Sequence, residues 1–167
     1  DLRWEWFPGY GSVVALSGFF KSFENPIEVL VLPSTELIRS WVNAREATNF
    51  GAEVELRTDL GFLAPALRDL EFNGNFTFVE SEVDAGGVST VYIPNQGPFQ
   101  ITTIDRARAL QGQSPYVLNL GLTWAGADSG TRATLLLNRF GERIDAVGRE
   151  ESPDIYEEAR SQLDLVL

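Results

Sequence analysis

At 167 residues the chain has the length of one ordinary domain, and no apolar run in it approaches the ~18 residues of a membrane-spanning helix, which excludes a helical membrane protein. Its 13 Lys and Arg against 24 Asp and Glu leave a net charge of −11, too acidic for a phosphate-binding face, so nucleic acid is not an expected partner. The absence of Cys and His removes disulfides, thiolate and imidazole metal ligands and the commonest general base; most hydrolase triads and zinc sites are excluded and no cofactor is expected.

Seven segments alternate apolar and polar residues with a period of two, the pattern of strands with two different faces. The first sets Leu2, Trp4 and Trp6 against Arg3 and Glu5. The second sets Val14, Leu16, Gly18 and Phe20 against Ala15, Ser17, Phe19 and Lys21. In the third, Phe50, Ala52, Val54, Leu56 and Leu60 oppose Asn49, Gly51, Glu53, Glu55, Arg57 and Asp59. The fourth places Leu70, Phe72, Gly74, Phe76 and Phe78 against Glu71, Asn73, Asn75, Thr77 and Ser81. The fifth places Tyr116, Leu118, Leu120, Leu122 and Trp124 against Asn119, Gly121 and Thr123. Ala133, Leu135 and Leu137 define the sixth against Arg132, Thr134 and Asn138, and Leu163, Leu165 and Leu167 the last against Gln162 and Asp164.

The connections alternate as regularly as the faces. Short turns are expected at Pro8–Gly11, Ala64–Ala66 and Ala125–Gly130, and long excursions at Asn25–Arg45, Val83–Ser114 and Arg143–Ser161. Thr102–Gln113 has room for one or two helical turns. One end of the sheet is thus trimmed and the other carries large loops, the asymmetry of outer-membrane barrels. The first, third, fifth and seventh strands then run toward the short-turn end.

Alternation of this kind also suits a soluble β-sandwich; the aromatic residues separate the two. Trp6, Phe72 and Trp124 fall near the short-turn end of the apolar face, and Phe20, Phe50, Phe78 and Tyr116 near the long-loop end. Two aromatic rims around an aliphatic band match the girdles of a lipid-facing wall. Tyr116 to Trp124 spans about 27 Å of strand, or roughly 21 Å of height at a tilt of about 40°, close to the apolar band of such barrels. The reading is all-β: an antiparallel meander of about seven strands, part of a large transmembrane β-barrel over residues 1–167, with a soluble antiparallel sandwich binding module as the alternative. The opposite face, with Glu53, Glu55, Arg57, Glu71 and Asn73, suits a wet lumen or a polar plug.

Several segments resemble the C-terminal barrel of TonB-dependent receptors. They are Leu2–Pro8 with Val14–Lys21 and Glu24–Glu28, Asn43–Ala44 with Phe50–Glu55, Leu110–Asn119, and Asn138–Ile144 with Pro153–Glu158 and Leu163–Leu165. The resemblance implies an active-uptake receptor of the bacterial outer membrane with a 22-stranded barrel, importing a scarce ligand such as a siderophore, vitamin, glycan or peptide. It also implies outer-membrane lipid as surroundings, and TonB with its inner-membrane energising complex as partners acting through a plug domain. Seven strands cannot close as that barrel, and the chain starts in a strand pattern without a signal peptide. It is therefore expected to be a piece of a larger protein.

Long loops on a rigid wall are where a barrel meets its ligand. The second loop offers Tyr92, Asn95, Gln96, Phe99, Arg106 and Arg108; the two arginines suit an anionic ligand, or alternatively a salt bridge with Asp105 or the plug. Glu150, Glu151, Asp154, Glu157 and Glu158 form an acidic cluster without calcium-loop spacing, read as a solvated loop rather than a Ca²⁺ site. Glu53 and Glu55 have the i, i+2 spacing of an acid–base pair, but strand alternation explains them and no enzyme is expected.

Overall fold

The computed structural model describes residues 1–32, 38–93, 97–102, 107–126, 130–148 and 153–167. In chain order the strands are β1 (Leu2–Trp6), β2 (Val13–Glu24), β3 (Ile27–Leu32), β4 (Ile38–Asn43), β5 (Glu46–Asp59), β6 (Leu70–Asp84), β7 (Val88–Ile93), β8 (Gly97–Thr102), β9 (Tyr116–Gly126), β10 (Thr131–Phe140), β11 (Arg143–Ala146), β12 (Ile155–Glu157) and β13 (Arg160–Val166). A single 3₁₀ turn at Pro65–Leu67, where proline pre-sets the first helical φ, is the helical element among the described residues.

The seven strands read from alternation are the seven that pair into one antiparallel sheet, in the order β1-β2-β5-β6-β9-β10-β13. Each neighbour is the next long strand in the chain, so the sheet is a meander. Its register aligns like with like. Trp4, Leu16, Val54, Phe76 and Leu118 form one cross-strand row, and Trp6, Val14, Leu56, Gly74, Leu120, Leu137 and Leu163 the next. A one-residue slip would mix the two faces at every position, so the alternation itself pins the register.

The long excursions are not plain loops. Each carries a hairpin of its own: β3 with β4, β7 with β8, and β11 with β12. Ile27–Leu32 reads as a short, mostly apolar run, and its far half is covered on both sides: Ile27 is exposed, but Glu28, Leu30, Val31 and Leu32 are all buried. Such a run lacks the period-two signal of a half-exposed strand. The helical turns expected near 102–113 are absent from the described part: Thr102 ends β8, and 107–115 is an irregular segment with a turn at Gln111–Gly112.

The apolar face of the sheet is its exposed one. Trp6 is 54% exposed, Val54 45% and Leu135 42%, while Ala15 on the opposite face is 1% exposed and Asn49 5%. No second sheet covers the apolar side among the described residues. Both buried apolar clusters lie at the long-loop end: Leu30, Leu32, Val42, Val91, Ile144 and Val147 in one, and Ala44, Ala47 and Val83 in the other.

Candidate functional site

The inner face is built from the polar positions of the long strands. Glu55, Asn75, Asn119, Asn138 and Gln162 fall in a single cross-strand row. Three of them form an amide ladder: Asn119 Nδ2 donates to Asn75 Oδ1 at 2.7 Å, and Asn138 Nδ2 donates to Asn119 Oδ1 at 2.6 Å. Two rows further toward the short turns on the same face, the hydroxyls of Thr123 and Thr134 meet at 3.1 Å. The alternation puts these residues on the polar side, but only the register makes them partners.

Charged residues extend the same face across β1, β2, β5 and β6. Arg3 donates to Glu5 at 2.6 Å and to Glu55 at 2.7 Å, and Arg57 donates to Glu71 at 2.9 Å. Glu53 sits between Ser17 and Thr77 in its row, and Asn73 between Arg57 and Gly121. Glu53, Glu55, Arg57, Glu71 and Asn73 therefore share one face. Because Glu55 is bound by Arg3, the Glu53/Glu55 spacing does not present two equivalent carboxylates.

On the outer face Trp6, Phe20, Phe50, Phe78 and Trp124 are exposed, whereas Phe72 and Tyr116 are half-buried. Tyr116 stacks on Phe76 with ring centroids 6.4 Å apart. Arg139 lies on this side as well, opposite Leu118; it donates to the Tyr116 hydroxyl at 3.2 Å and to Ser161 Oγ at 2.8 Å. Its position at the long-loop end lets the guanidinium reach polar partners while its stem covers apolar surface. The outer face turns acidic there, where Glu24, Glu46 and Asp84 form one row and Glu82 and Glu80 lie in the two rows below it.

At the long-loop end, residues 107–114 run as a strap between the hairpins. Arg108, a candidate for either an anionic ligand or a salt bridge, is 7% exposed at its side chain and grips Glu28, itself 1% exposed, with both terminal guanidinium nitrogens at 2.6 and 2.5 Å. The bidentate pair satisfies the carboxylate that the fold has buried. The contact is a salt bridge, with a partner 80 residues away in sequence, while Asp105 lies outside the described residues. Gln111 accepts from the Val29 amide at 2.5 Å and donates to the Asp145 carbonyl. Gln113 accepts from Asn49 Nδ2 at 3.1 Å, and Ser81 Oγ donates to Asn49 Oδ1 at 2.6 Å, tying the strap to the inner wall. Ser114 donates its hydroxyl hydrogen near two carbonyls, those of Tyr116 at 2.8 Å and Gly141 at 2.9 Å. A cavity of about 420 Å³ opens beside the strap, bordered by Phe78, Gln113, Ile144 and Tyr156.

Of the other ligand candidates, Tyr92 and Phe99 lie on neighbouring strands, Tyr92 opposite Pro98 and Phe99 opposite Val91. Asn95, Gln96 and Arg106 lie outside the described residues, as do Glu150 and Glu151. Asp154 accepts from the Gly148 amide at 2.8 Å and Glu157 pairs with Arg143 at 2.7 Å. No group of three metal-ligating side chains comes together among the described residues.

An open meander, exposed apolar on one face and polar on the other, with long hairpins at one end only, is the architecture of a barrel wall. A family model described as TonB dependent receptor-like, beta-barrel, matches residues 1–157. The chain belongs to the TonB-dependent receptor family. No curated protein and no solved structure matches it. The family is one of transport receptors rather than enzymes and is generally located in the outer membrane.

Proposed function

We propose that residues 1–167 are seven adjacent strands in the wall of a TonB-dependent receptor that takes up a scarce small ligand such as a siderophore, vitamin, glycan or peptide. TonB and its inner-membrane complex would energise it through a plug domain elsewhere in the protein. The observation that carries this reading is the inverted polarity of the sheet: Trp4, Leu16, Val54, Phe76 and Leu135 are exposed on one side, while a polar network of Arg3, Glu55, Asn75, Asn119 and Asn138 fills the other. In water that arrangement is unfavourable by roughly 25 cal/mol for each Å² of apolar surface left uncovered. In a bilayer it is the stable one, because the lipid covers the apolar rows and the lumen wets the polar ones.

In this reading Trp6, Phe72 and Trp124 form the girdle at the short-turn interface, and Phe20, Phe50, Phe78 and Tyr116 the girdle at the long-loop interface. Glu53, Glu55, Arg57, Glu71 and Asn73 meet lumen water or the plug. Ligand contact falls to the second long loop of the sequence, with Tyr92, Asn95, Gln96, Phe99 and Arg106 as candidates; Arg108 leaves this set because Glu28 occupies its guanidinium.

Residues 1–167 include no cysteine, so single cysteines carrying a polarity-sensitive fluorophore can be introduced into them one at a time in the reconstituted receptor, with any cysteine elsewhere in it replaced. Labels at Val54, Leu120 and Leu135 should emit from an apolar environment and be quenched by a lipid-borne quencher. Labels at Glu53, Asn75 and Asn119 should respond to an aqueous quencher. Aqueous quenching of both sets would overturn the wall assignment.

A further inference from the structure

We infer that the three long loops fold into one cooperative cap, held by the 107–114 strap, and that the buried Glu28–Arg108 pair is its latch. This goes beyond the transport reading and does not depend on which ligand is carried. The cap's apolar cluster takes Leu30, Leu32 and Val42 from the first loop, Val91 from the second, and Ile144 and Val147 from the third. No loop supplies enough of this cluster to stand alone, and an isolated two-stranded hairpin is marginal in water.

Polar contacts join the same three loops. Val31 donates its amide to the Val147 carbonyl at 3.0 Å and Val147 returns one to Val29 at 2.9 Å, so β3 and the residue after β11 are zipped together. Arg39 reaches Asp145 at 3.0 Å. From the strap, Arg108 and Gln111 hold the first loop, while Gln111 and the Gly112 amide, 2.9 Å from the Ile144 carbonyl, hold the third. Gln111 thus bonds both loops with the two ends of one amide. Removing either member of the Glu28–Arg108 pair leaves the other charge buried and unpaired, a large penalty that opening the cap would relieve. An event at any one loop is therefore felt by the other two.

The test is hydrogen exchange followed by mass spectrometry on the full receptor, wild type against Glu28→Gln, Arg108→Met and the milder Gln111→Ala. Amide exchange should accelerate together in 27–32, 38–43, 88–93 and 143–147, by about tenfold or more for the latch variants, as a loss of about 1.4 kcal/mol implies. The sheet centre at 52–56 and 74–78 should keep its wild-type rate. Acceleration confined to the loop that carries the substitution, or no change in any variant, would overturn the cap. Should the latch variants fail to assemble, Gln111→Ala decides alone: acceleration that spreads to 88–93, beyond the two segments Gln111 bonds, supports the cap, and acceleration confined to 27–32 and 143–147, or none, overturns it.

Discussion

Single residues carry constraints here that their type alone does not reveal. Gly51 lies in β5 between Phe19 and Val79, and a Cβ there would fall 2.1 Å from the Phe78 carbonyl oxygen and 2.7 Å from the Phe19 ring. Backbone cannot yield as a flexible side chain can, so Gly51→Ala should cost about 1–3 kcal/mol, read as a lower midpoint of urea-induced unfolding in lipid vesicles. Gly112 has φ +76 at the strap's turn, a conformation that favours glycine. Glu46 presents the opposite case. It stands in register between Glu24 and Asp84, and Arg45 relieves only the latter, at 2.9 Å. Like charges directly opposite one another are destabilising, so Glu46→Thr should stabilise by up to about 1 kcal/mol. That gain should shrink as salt is raised, because exposed charges are screened; a gain indifferent to salt would point to strand propensity instead.

Among elements, the inner-face rows couple strands that are far apart in the chain. Asn119 is the middle of the amide ladder and donates to one neighbour while accepting from the other. A double-mutant cycle of Asn119→Ala and Asn138→Ala should give a coupling of about 0.5–3 kcal/mol, with values near zero showing that water replaces the partner at no cost. The long strands were legible because each has one wet and one apolar face, which writes a period of two into the residues. The hairpins were not, for a related reason. In β3 the stretch Leu30–Leu32 is buried on both sides, and in β7 and β8 the apolar residues interleave with Thr, Ser and Gln too briefly for a period to show. The strap shows the same limit: it overlaps the motif Leu110–Asn119, but its use as the tie between loops depends on residues up to 83 positions away.

For the whole molecule, polarity decides what the sheet can do. Val54 and Glu53 are neighbours on β5 with opposite surroundings. A lysine at Val54 should cost about 2–4 kcal/mol if that position sits near the bilayer midplane, while Glu53→Lys on the lumen side should cost far less. Comparison of the two folding free energies in vesicles checks this, and equal costs would argue against a lipid-facing row. The same polarity predicts that the chain needs an amphiphile to stay monodisperse; a soluble, detergent-free monomer with a cooperative melt would contradict it. By itself the sequence determined the seven strands of the main sheet, their faces, their alternating directions and the alternation of short and long connections, because each is set by local periodicity and turn chemistry. It also carried the family, through motifs in order along most of the chain. Only the tertiary structure decided that the long loops fold into hairpins, that Asn75, Asn119 and Asn138 form one ladder, and that Arg108 is spent on Glu28 rather than left for a ligand. Those outcomes depend on which distant residues the register and the loop packing bring within hydrogen-bond reach, and no local pattern records such distances.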